Sequence, residues 1–475
     1  MSHDRYRLGF HIAPKAGWLN DPNGLCQFRG VYHAFFQFNP MWPQIDTKYW
    51  RHFASLDLLH WKDCGTSLVT DIKEDRNGVY SGSALVRKGA ASDGGDLMCL
   101  YYTGNVVYKD DPEANMDFVH TGREANEILV TSEDGETFSE KHVLLRNSDY
   151  PNVCTLHVRD PKVWEQDGRL WMLLGARDQN DQGMVLLYGS DDGVTWRIKS
   201  QVYSQNPFGY MWECPNIVQI DGHDFLAVCP QGLPDEVDRW QNLWQAGYFP
   251  LEGSILDTLL VDEGTFVEWD LGYDFYAPQV FVDESGRTIL IGWMGTFEEN
   301  RTSSPDGLRW AHCLTVPRVL TIGANGLLRQ NPVSEIEAAR GEAIPLHASR
   351  HIAIDEHRAD IVLTGIEGVG ALVLDDDAIE IAYTGKKLEI SFSDAKVSGG
   401  RIDRQVPLDH LDDLRVLVDT SAIEIYANGG ETVFSTRWFP TADMLKVEAG
   451  FRSEGAVMYP MEDAMADAFV DSHDM

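Results

Sequence analysis

Trp18-Leu19-Asn20-Asp21-Pro22-Asn23-Gly24 is the stretch of sequence from which the fold and chemistry of this chain are best approached. Pro22 fixes its own φ angle and biases Asp21 towards an extended conformation, while the Asn-Gly pair favours a turn. The alternating residues 31–38 that follow are typical of a β-strand. Asp21 is therefore expected at a stiff corner beside an aromatic ring, facing a cavity. The alternative is a turn aspartate that bonds only its own backbone.

Outward from this stretch, residues up to about 330 consist of short strand-like runs separated by Gly, Asp and Asn turns. Examples are residues 97–102, 170–174 and 288–293, and no long amphipathic helix interrupts them. This pattern indicates an all-β fold.

A recurring segment of the form Ser-x-Asp-x-x-x-aromatic appears at residues 55–61, 132–138 and 190–196. Two copies contain Asp-Gly, a dipeptide typical of hairpin turns. One hairpin reused in each structural unit favours a β-propeller, and about 325 residues correspond to roughly five blades of four strands.

The remainder of the chain differs in composition, because all seven Cys precede residue 314 and only one of fourteen Trp, Trp438, follows residue 310. We predict a propeller at residues 1–330, a linker with a short capped helix at 331–346 and a β-sandwich at 347–475. The acidic tail at 461–475 is expected to be a short helix or disordered.

The 475 residues carry a formal net charge of −35, with 43% hydrophobic and 24% charged residues. A field of that sign disfavours nucleic acid and anionic membrane as partners, so a neutral small molecule fits best. The odd, scattered cysteines contain no C-x-x-C pair, and no signal peptide or membrane span is visible, so we expect a cytoplasmic protein.

Two further acidic residues occur in settings like that of Asp21. Arg159-Asp160-Pro161 and Trp212-Glu213-Cys214-Pro215 each precede a strand-like run, with proline one or two places after the acid. In a propeller, acids that begin inner strands converge on one axial pocket. Each acid taken alone is more often structural than catalytic.

Convergent carboxylates with aromatic walls are what glycosidic bond cleavage requires, with one group protonated and another ionised. Trp212 and Pro215 predict apolar surroundings for Glu213, which would favour its protonated form and suit a general acid. Arg159 is expected to keep its neighbour Asp160 ionised.

The motifs together resemble glycoside hydrolase family 32, the β-fructofuranosidases. The three acidic motifs are similar to the family's three hallmarks, and the resemblance spans nearly the whole chain. Three more segments match: Tyr80-Ser81-Gly82-Ser83-Ala84, 274–279 and 418–426.

This resemblance implies a five-bladed propeller followed by a β-sandwich, a retaining double displacement and no cofactor or metal. Asp21 would be the nucleophile, Glu213 the general acid/base and Asp160 the stabiliser. The remaining substrate-binding residues it implies are Asn20, Gln37, Trp50, Tyr80, Ser81, Arg159, Tyr276 and Trp293.

The chain also departs from the family pattern. Gln44-Ile45-Asp46 replaces the usual Trp-Gly, and Trp50-Arg51-His52 replaces Trp-Gly-His. Arg51 is expected to be a salt-bridge partner, with a phosphate-reading role as the alternative. His33, His52 and His60 are expected to be core or hydrogen-bonding residues rather than metal ligands.

The expected activity is release of fructose from sucrose, sucrose 6-phosphate or short β-fructosides. The alternatives are a fructan exohydrolase, a fructosyltransferase, a hydrolase of another furanoside such as arabinan, and a non-catalytic fructoside-binding protein. The oligomeric state is open, with a homodimer as one possibility.

Overall fold

The computed structural model of the protein describes residues 4–44, 47–108, 116–297, 304–305, 307–346 and 351–469. These residues form seven β-sheets and contain no α-helix. Among them, no helix is long and apolar enough to cross a membrane. The structure confirms the predicted all-β fold, a β-propeller followed by a β-sandwich.

The propeller strands follow the chain blade by blade. Blade 1 contains β1 (Gly17–Phe28), β2 (Val31–Asn39), β3 (Tyr49–Ser55) and β4 (Trp61–Leu68). Blade 2 contains β5 (Val79–Arg87), β6 (Leu97–Val107), β7 (Arg123–Ser132) and β8 (His142–Leu145). Blade 3 contains β9 (Cys154–Gln166), β10 (Arg169–Asp178), β11 (Gly183–Ser190) and β12 (Arg197–Ser204). The next segment contains β13 (Met211–Ile220), β14 (His223–Gln231), β15 (Gly247–Pro250), β16 (Leu260–Val261) and β17 (Val267–Glu268). The last contains β18 (Tyr276–Val282), β19 (Thr288–Met294), β20 (Trp310–Ala311), β21 (Cys313–Leu314), β22 (Arg318–Ile322) and β23 (Leu328–Pro332).

The five innermost strands, β1, β5, β9, β13 and β18, contact one another in a closed ring. Two short strands join neighbouring blades: β16 pairs in parallel with β12, and β20 pairs in parallel with β1. The second pairing connects the last propeller segment to the first blade. The ring therefore leaves few open sheet edges, which is the advantage of this architecture.

The recurring Ser-x-Asp segments form the outer hairpins of the first three blades, between β3 and β4, β7 and β8, and β11 and β12. In each hairpin the aspartate accepts hydrogen bonds from backbone N–H groups of the turn. The acceptors are Asp57, Asp134 and Asp192. Each serine hydroxyl also donates to its aspartate, at 3.0–3.1 Å. The repeat read from the sequence is thus a turn used once per blade.

Three 3-10 helices connect strands, at Asn147–Asp149, Glu263–Thr265 and Ser334–Ala339. The last lies in the segment predicted as a linker, and it buries Ile336 and Ala339. Its N-cap residue, Val333, has no side-chain capping hydrogen bond, unlike the capped helix expected from the sequence.

The C-terminal part packs two six-stranded antiparallel sheets face to face. Its strands are β24 (Ile344–Pro345), β25 (Ile352–Ile354), β26 (Arg358–Thr364), β27 (Gly370–Leu374), β28 (Ile379–Tyr383), β29 (Lys387–Phe392), β30 (Asp403–Pro407), β31 (Asp413–Asp419), β32 (Ala422–Ala427), β33 (Thr432–Arg437), β34 (Leu445–Ala449) and β35 (Gly455–Pro460). Alternate residues of each central strand, such as Ile361, Val416 and Ile425, enter one apolar core. The tail residues 470–475 lie outside the described part of the chain.

A buried network of charged side chains joins the propeller to the sandwich. Arg318 donates to Glu424 at 3.0 and 2.6 Å and to Asp270 at 3.1 Å. His11 lies between Asp419 at 2.7 Å and Glu424 at 2.9 Å. Since both ring nitrogens face carboxylates, His11 is held as the imidazolium. Removing one partner from such a network leaves a buried charge uncompensated.

We predict that this network makes folding stability fall in alkaline solution. Burial alone would lower the pKa of His11, but hydrogen bonds with Asp419 and Glu424 outweigh it and raise the pKa from 6.5 to about 9. The stabilisation is therefore complete below pH 6.5 and is lost as the pH rises through about 9, a change on the order of 3 kcal/mol. Urea unfolding between pH 6.5 and 9.5 measures it. His11→Gln should be less stable at pH 7 and show a flatter alkaline slope, whereas an equally steep slope would contradict this origin.

Candidate active site

All five innermost strands carry a β-bulge at the same level of the ring. In each strand two residues face a single residue of the next strand. The bulged pairs are Asn20-Asp21, Tyr80-Ser81, Asp160-Pro161, Cys214-Pro215 and Ala277-Pro278. The first residue of the last three pairs has a positive φ, of 66°, 46° and 47°. Because a bulge twists a strand and changes the direction of its side chains, the ring turns several polar groups towards the channel.

Asp21 lies within the bulge of β1 and accepts hydrogen bonds on both carboxylate oxygens. Ser81 donates to Oδ2 at 2.5 Å, and Asn20 donates to Oδ1 at 3.0 Å. Gln37 completes the group, because it donates to Ser81 at 2.5 Å and accepts from Asn20 at 3.1 Å. The polar residues predicted around Asp21 are therefore brought together and fix its orientation.

Opposing effects act on the Asp21 carboxyl. Burial raises its pKa, the hydrogen bonds from Ser81 and Asn20 lower it, and the negative charge of Glu213 raises it. Burial dominates, so the pKa of Asp21 lies above its ordinary value of 3.8.

Glu213, just before the bulge of β13, is surrounded by polar groups. Arg159 donates to Oε1 from Nε at 3.0 Å and from Nη2 at 2.5 Å. Tyr276 and Gln231 each donate to Oε2 at 2.6 Å. The apolar surroundings predicted for Glu213 are therefore wrong. Neighbouring residues of a strand point in opposite directions, so the Trp212 side chain enters the core behind it.

Asp160 occupies the bulge of β9 and turns towards β13. Its Oδ2 accepts from the backbone N–H of Cys214 at 3.0 Å, whereas Arg159 Nε lies 3.9 Å away. Burial raises its pKa to about 7; the charge of Arg159 opposes this effect, and the charges of Glu213 and Asp21 add to it. The expectation that Arg159 keeps Asp160 ionised is therefore wrong, because Arg159 makes its hydrogen bonds to Glu213.

Two predicted substrate-binding tryptophans are covered by other side chains. Trp50 has no exposed surface and donates from its indole to the carbonyl oxygen of Tyr80 at 2.9 Å. Trp293 is 1% exposed and donates to His312 at 3.0 Å. Trp50 therefore offers no face to a ligand, and Trp293 lines a small cavity beside Trp244, Tyr276 and Phe297 with almost no surface exposed.

The structure also brings residues to the pocket that the sequence analysis missed. Lys48 donates to Asn20 at 3.0 Å and lies 5.3 Å from the Trp18 ring centre. Burial lowers its pKa to about 8, although the charge of Asp21 opposes this. Lys48 stands two places before Trp50, and Trp18 begins the opening stretch. Their position in or beside these motifs is the sequence feature that could have identified them.

An aromatic wall flanks the pocket and consists of Trp18, Trp244, Tyr276 and Phe297. Trp18 stacks on Phe297 with ring centres 5.9 Å apart, and Trp244 lies 5.5 Å from Phe297 and 5.6 Å from Tyr276. No motif identifies Trp244 and Phe297, because they come from connecting segments.

The structure shows the contacts of Arg51, which departs from the family pattern, and of the nearby histidines. Arg51 forms an ion pair with Asp63, with Nη2 at 2.5 Å and Nε at 3.1 Å, so it has the salt-bridge role expected of it. Ile45 and Asp46 lie outside the described residues. His33 and His52 are buried and hydrogen-bonded to each other at 2.8 Å, and His60 bonds to Asp57 at 2.8 Å.

Comparison with known proteins adds an independent observation. Residues 11–332 match the model of the glycosyl hydrolases family 32 N-terminal domain, and residues 379–465 match that of the family 32 C-terminal domain. The sucrose-6-phosphate hydrolases of Klebsiella pneumoniae and Bacillus subtilis are 37% and 34% identical to the chain. Each alignment covers 92% of this chain, and 89% and 90% of the respective relatives. A raffinose invertase of Escherichia coli is 34% identical over 91% of the chain and 90% of its own length.

Solved structures resemble the chain over almost its full length. A sucrose-6-phosphate hydrolase from Lactobacillus gasseri has a TM-score of 0.84 at 28% identity, with 98% of this chain and 94% of that one covered. A mutant β-fructofuranosidase from Bombyx mori, in complex with sucrose, has a TM-score of 0.78 at 27% identity, with 97% and 95% covered.

We predict that Gly82, the residue after Ser81, is required for the close pairing of β5 with β6. A Cβ at Gly82 would overlap the backbone carbonyl of Tyr101 on the neighbouring strand, which cannot move without separating β5 from β6. Gly82→Ala should lower the free energy of unfolding by about 3 kcal/mol or more, as measured by urea denaturation. Gly264→Ala is the control, since its Cβ would approach only the Asp262 side chain, at 3.1 Å. Equal stability of the two variants would contradict the packing argument.

Proposed function

Because this chain belongs to glycosyl hydrolase family 32, we propose that it is a β-fructofuranosidase that releases fructose from sucrose or sucrose 6-phosphate. The observation that carries the proposal is that Asp21 and Asp160 both lie against Cys214, the residue after Glu213, while Asp21 and Glu213 are held by different sets of hydrogen-bond donors. Two carboxylates with distinct surroundings are what a retaining glycosidase requires.

In the first half of the reaction, Asp21 attacks the anomeric carbon of the fructosyl unit while Glu213 gives a proton to the leaving oxygen. Ser81 and Asn20 orient the attacking carboxylate, and their hydrogen bonds favour its ionised form. Arg159, Tyr276 and Gln231 hold the Glu213 carboxyl in place for this transfer.

Formation of the fructosyl ester removes the charge of Asp21. Arg159 then stabilises the ionised Glu213, which is ready to take a proton from water in the second half of the reaction. This two-step mechanism requires the carboxyl groups of Asp21 and Glu213 to lie about 5–5.5 Å apart when substrate is bound. A single arginine therefore supports the change of Glu213 from acid to base.

Asp160 is proposed to hold the fructosyl hydroxyls. The Cys214 backbone fixes its Oδ2, while its Oδ1 accepts no hydrogen bond from the described residues. Hydrogen bonds that strengthen as charge develops on the sugar ring stabilise the transition state.

We propose that the enzyme works in the cytoplasm, because all seven cysteines are free thiols and six of them are buried. Product analysis with sucrose, sucrose 6-phosphate, kestose and inulin tests the substrate class. Fructose released from kestose and inulin alone would favour an exohydrolase, and longer fructosides formed from sucrose would favour a transferase.

Substitution of the two reacting carboxyls should abolish turnover while leaving the fold intact. We expect Asp21→Asn and Glu213→Gln each to lower kcat by roughly a thousandfold or more, because one removes the nucleophile and the other the proton donor. Steady-state kinetics with sucrose and the melting temperature provide the measurements. Glu165→Gln is a control, since Glu165 is an exposed acid on the same strand as Asp160. Near-native turnover of either pocket variant would contradict the assigned roles.

Ser81→Ala should shift the acidic limb of the activity profile to higher pH. The Ser81 hydrogen bond lowers the pKa of Asp21, so its loss raises that pKa and protonates the nucleophile at a higher pH. The measurement is kcat/KM between pH 4 and 8. Ser83→Ala removes a hydroxyl that donates to the carbonyl of Pro161, and it should leave the limb in place. A shift in the Ser83 variant alone would contradict the assignment.

A further inference from the structure

Arg123 is the first residue of β7, and its guanidinium group has no hydrogen-bond acceptor among the described residues. Within the described residues this guanidinium takes part in no hydrogen bond or ion pair, and its Nε atom is buried without a partner. It lies over the ring of Tyr80, 5.5 Å from the ring centre. A partly buried cation that no protein anion compensates is costly, unless a ligand supplies the anion.

The neighbouring cations are already engaged. Arg159 donates to Glu213 from Nε and Nη2 and to His157 Nδ1 from Nη1, at 2.9 Å in the last case. His157 accepts at Nδ1 because its Nε2 carries the hydrogen and donates to the carbonyl of Phe118 at 3.0 Å. Burial, followed by the charges of Arg159 and Arg123, lowers the pKa of His157 to about 3 and keeps this tautomer neutral. Three of the five N–H groups of Arg159 therefore already have protein acceptors.

Other basic residues near the pocket also have protein partners. Lys48 bonds to Asn20 on the Asp21 side, and Arg51 is paired with Asp63. Arg177 is paired with Asp181 at 2.9 and 2.7 Å. Arg123 thus differs from Arg51 and Arg177, which are paired with carboxylates, and from Lys48, which bonds to Asn20 on the Asp21 side.

The position of Arg123 indicates which part of a substrate it would meet. Its strand, β7, contacts β9, the strand that carries Arg159 and Asp160, and Arg159 donates to Glu213, so Arg123 lies on the Glu213 side of the pocket. In the proposed mechanism, Glu213 protonates the oxygen of the leaving sugar, which places that sugar on the same side. A chain with a net charge of −35 repels an anionic substrate unless a local cation offsets the field.

We infer that Arg123 binds a phosphate monoester on the leaving hexosyl unit and makes the enzyme prefer sucrose 6-phosphate to sucrose. The inference rests on the proposed function and names the residue that selects between its two substrates. Arginine suits this task because its planar donors match two phosphate oxygens at once.

The test compares kcat/KM for sucrose 6-phosphate and sucrose in Arg123→Gln, Arg123→Lys and the parent enzyme. We expect the parent to prefer sucrose 6-phosphate, and the glutamine variant to lose roughly 10- to 100-fold of that preference. The lysine variant should retain part of it, since it keeps the charge but not the paired donors. Added salt should weaken the preference of the parent but have little effect in the glutamine variant.

Arg51→Gln is the matched control, because it removes an equal charge from a neighbouring blade. A loss of preference in this variant, with none in Arg123→Gln, would overturn the assignment, and so would equal kcat/KM values for the two substrates in the parent enzyme.

Calorimetric titration with glucose 6-phosphate and glucose separates this inference from the proposed function, since it requires no turnover. Tighter binding of glucose 6-phosphate that disappears in Arg123→Gln supports the phosphate site, even if fructose release failed. No difference between the two ligands in the parent enzyme would overturn it.

Discussion

One extra residue, inserted at the same level of all five inner strands, determines the geometry of the pocket. A regular strand would send Asn20 and Asp21, or Tyr80 and Ser81, alternately into the core and away from it. The bulges interrupt that alternation, and three of them combine a residue of positive φ with a following proline. The residues of positive φ lie on inner strands, which are packed between neighbouring strands on either side. Their unusual backbone conformation therefore persists at the level where the polar groups converge.

Within this frame, the acids are controlled by competition between burial and specific partners. Burial raises the pKa values of Asp21 and Asp160, while donors and cations act in the opposite direction. Arg159 is central because its side chain contacts Glu213 and its charge reaches Asp160. A protein of strongly negative charge thus maintains a pocket whose local field is set by a few arginines and one lysine.

The sandwich is held to the propeller part by buried pairs of charged side chains, and it is also stabilised by its own apolar core. Asp419 and Glu424 lie in a segment that resembles a family motif, yet they face His11 and Arg318 of the propeller part instead of a ligand. Asp274, from another such segment, pairs with the buried Arg401. A motif recognised in sequence therefore need not be catalytic, because a buried interface restricts its residues as strictly as chemistry does.

Local pattern and turn chemistry were enough to predict the strands, the hairpin used once per blade, the succession of propeller and sandwich, and the three acids as a group. These features depend on residues adjacent in the chain. Only the tertiary structure decided that Arg159 serves Glu213, that Trp50 and Trp293 are almost fully buried, and that Arg123 has no acceptor among the described residues. Those outcomes depend on the direction of each side chain at a bulge and on neighbours from other blades, which no single stretch of sequence contains.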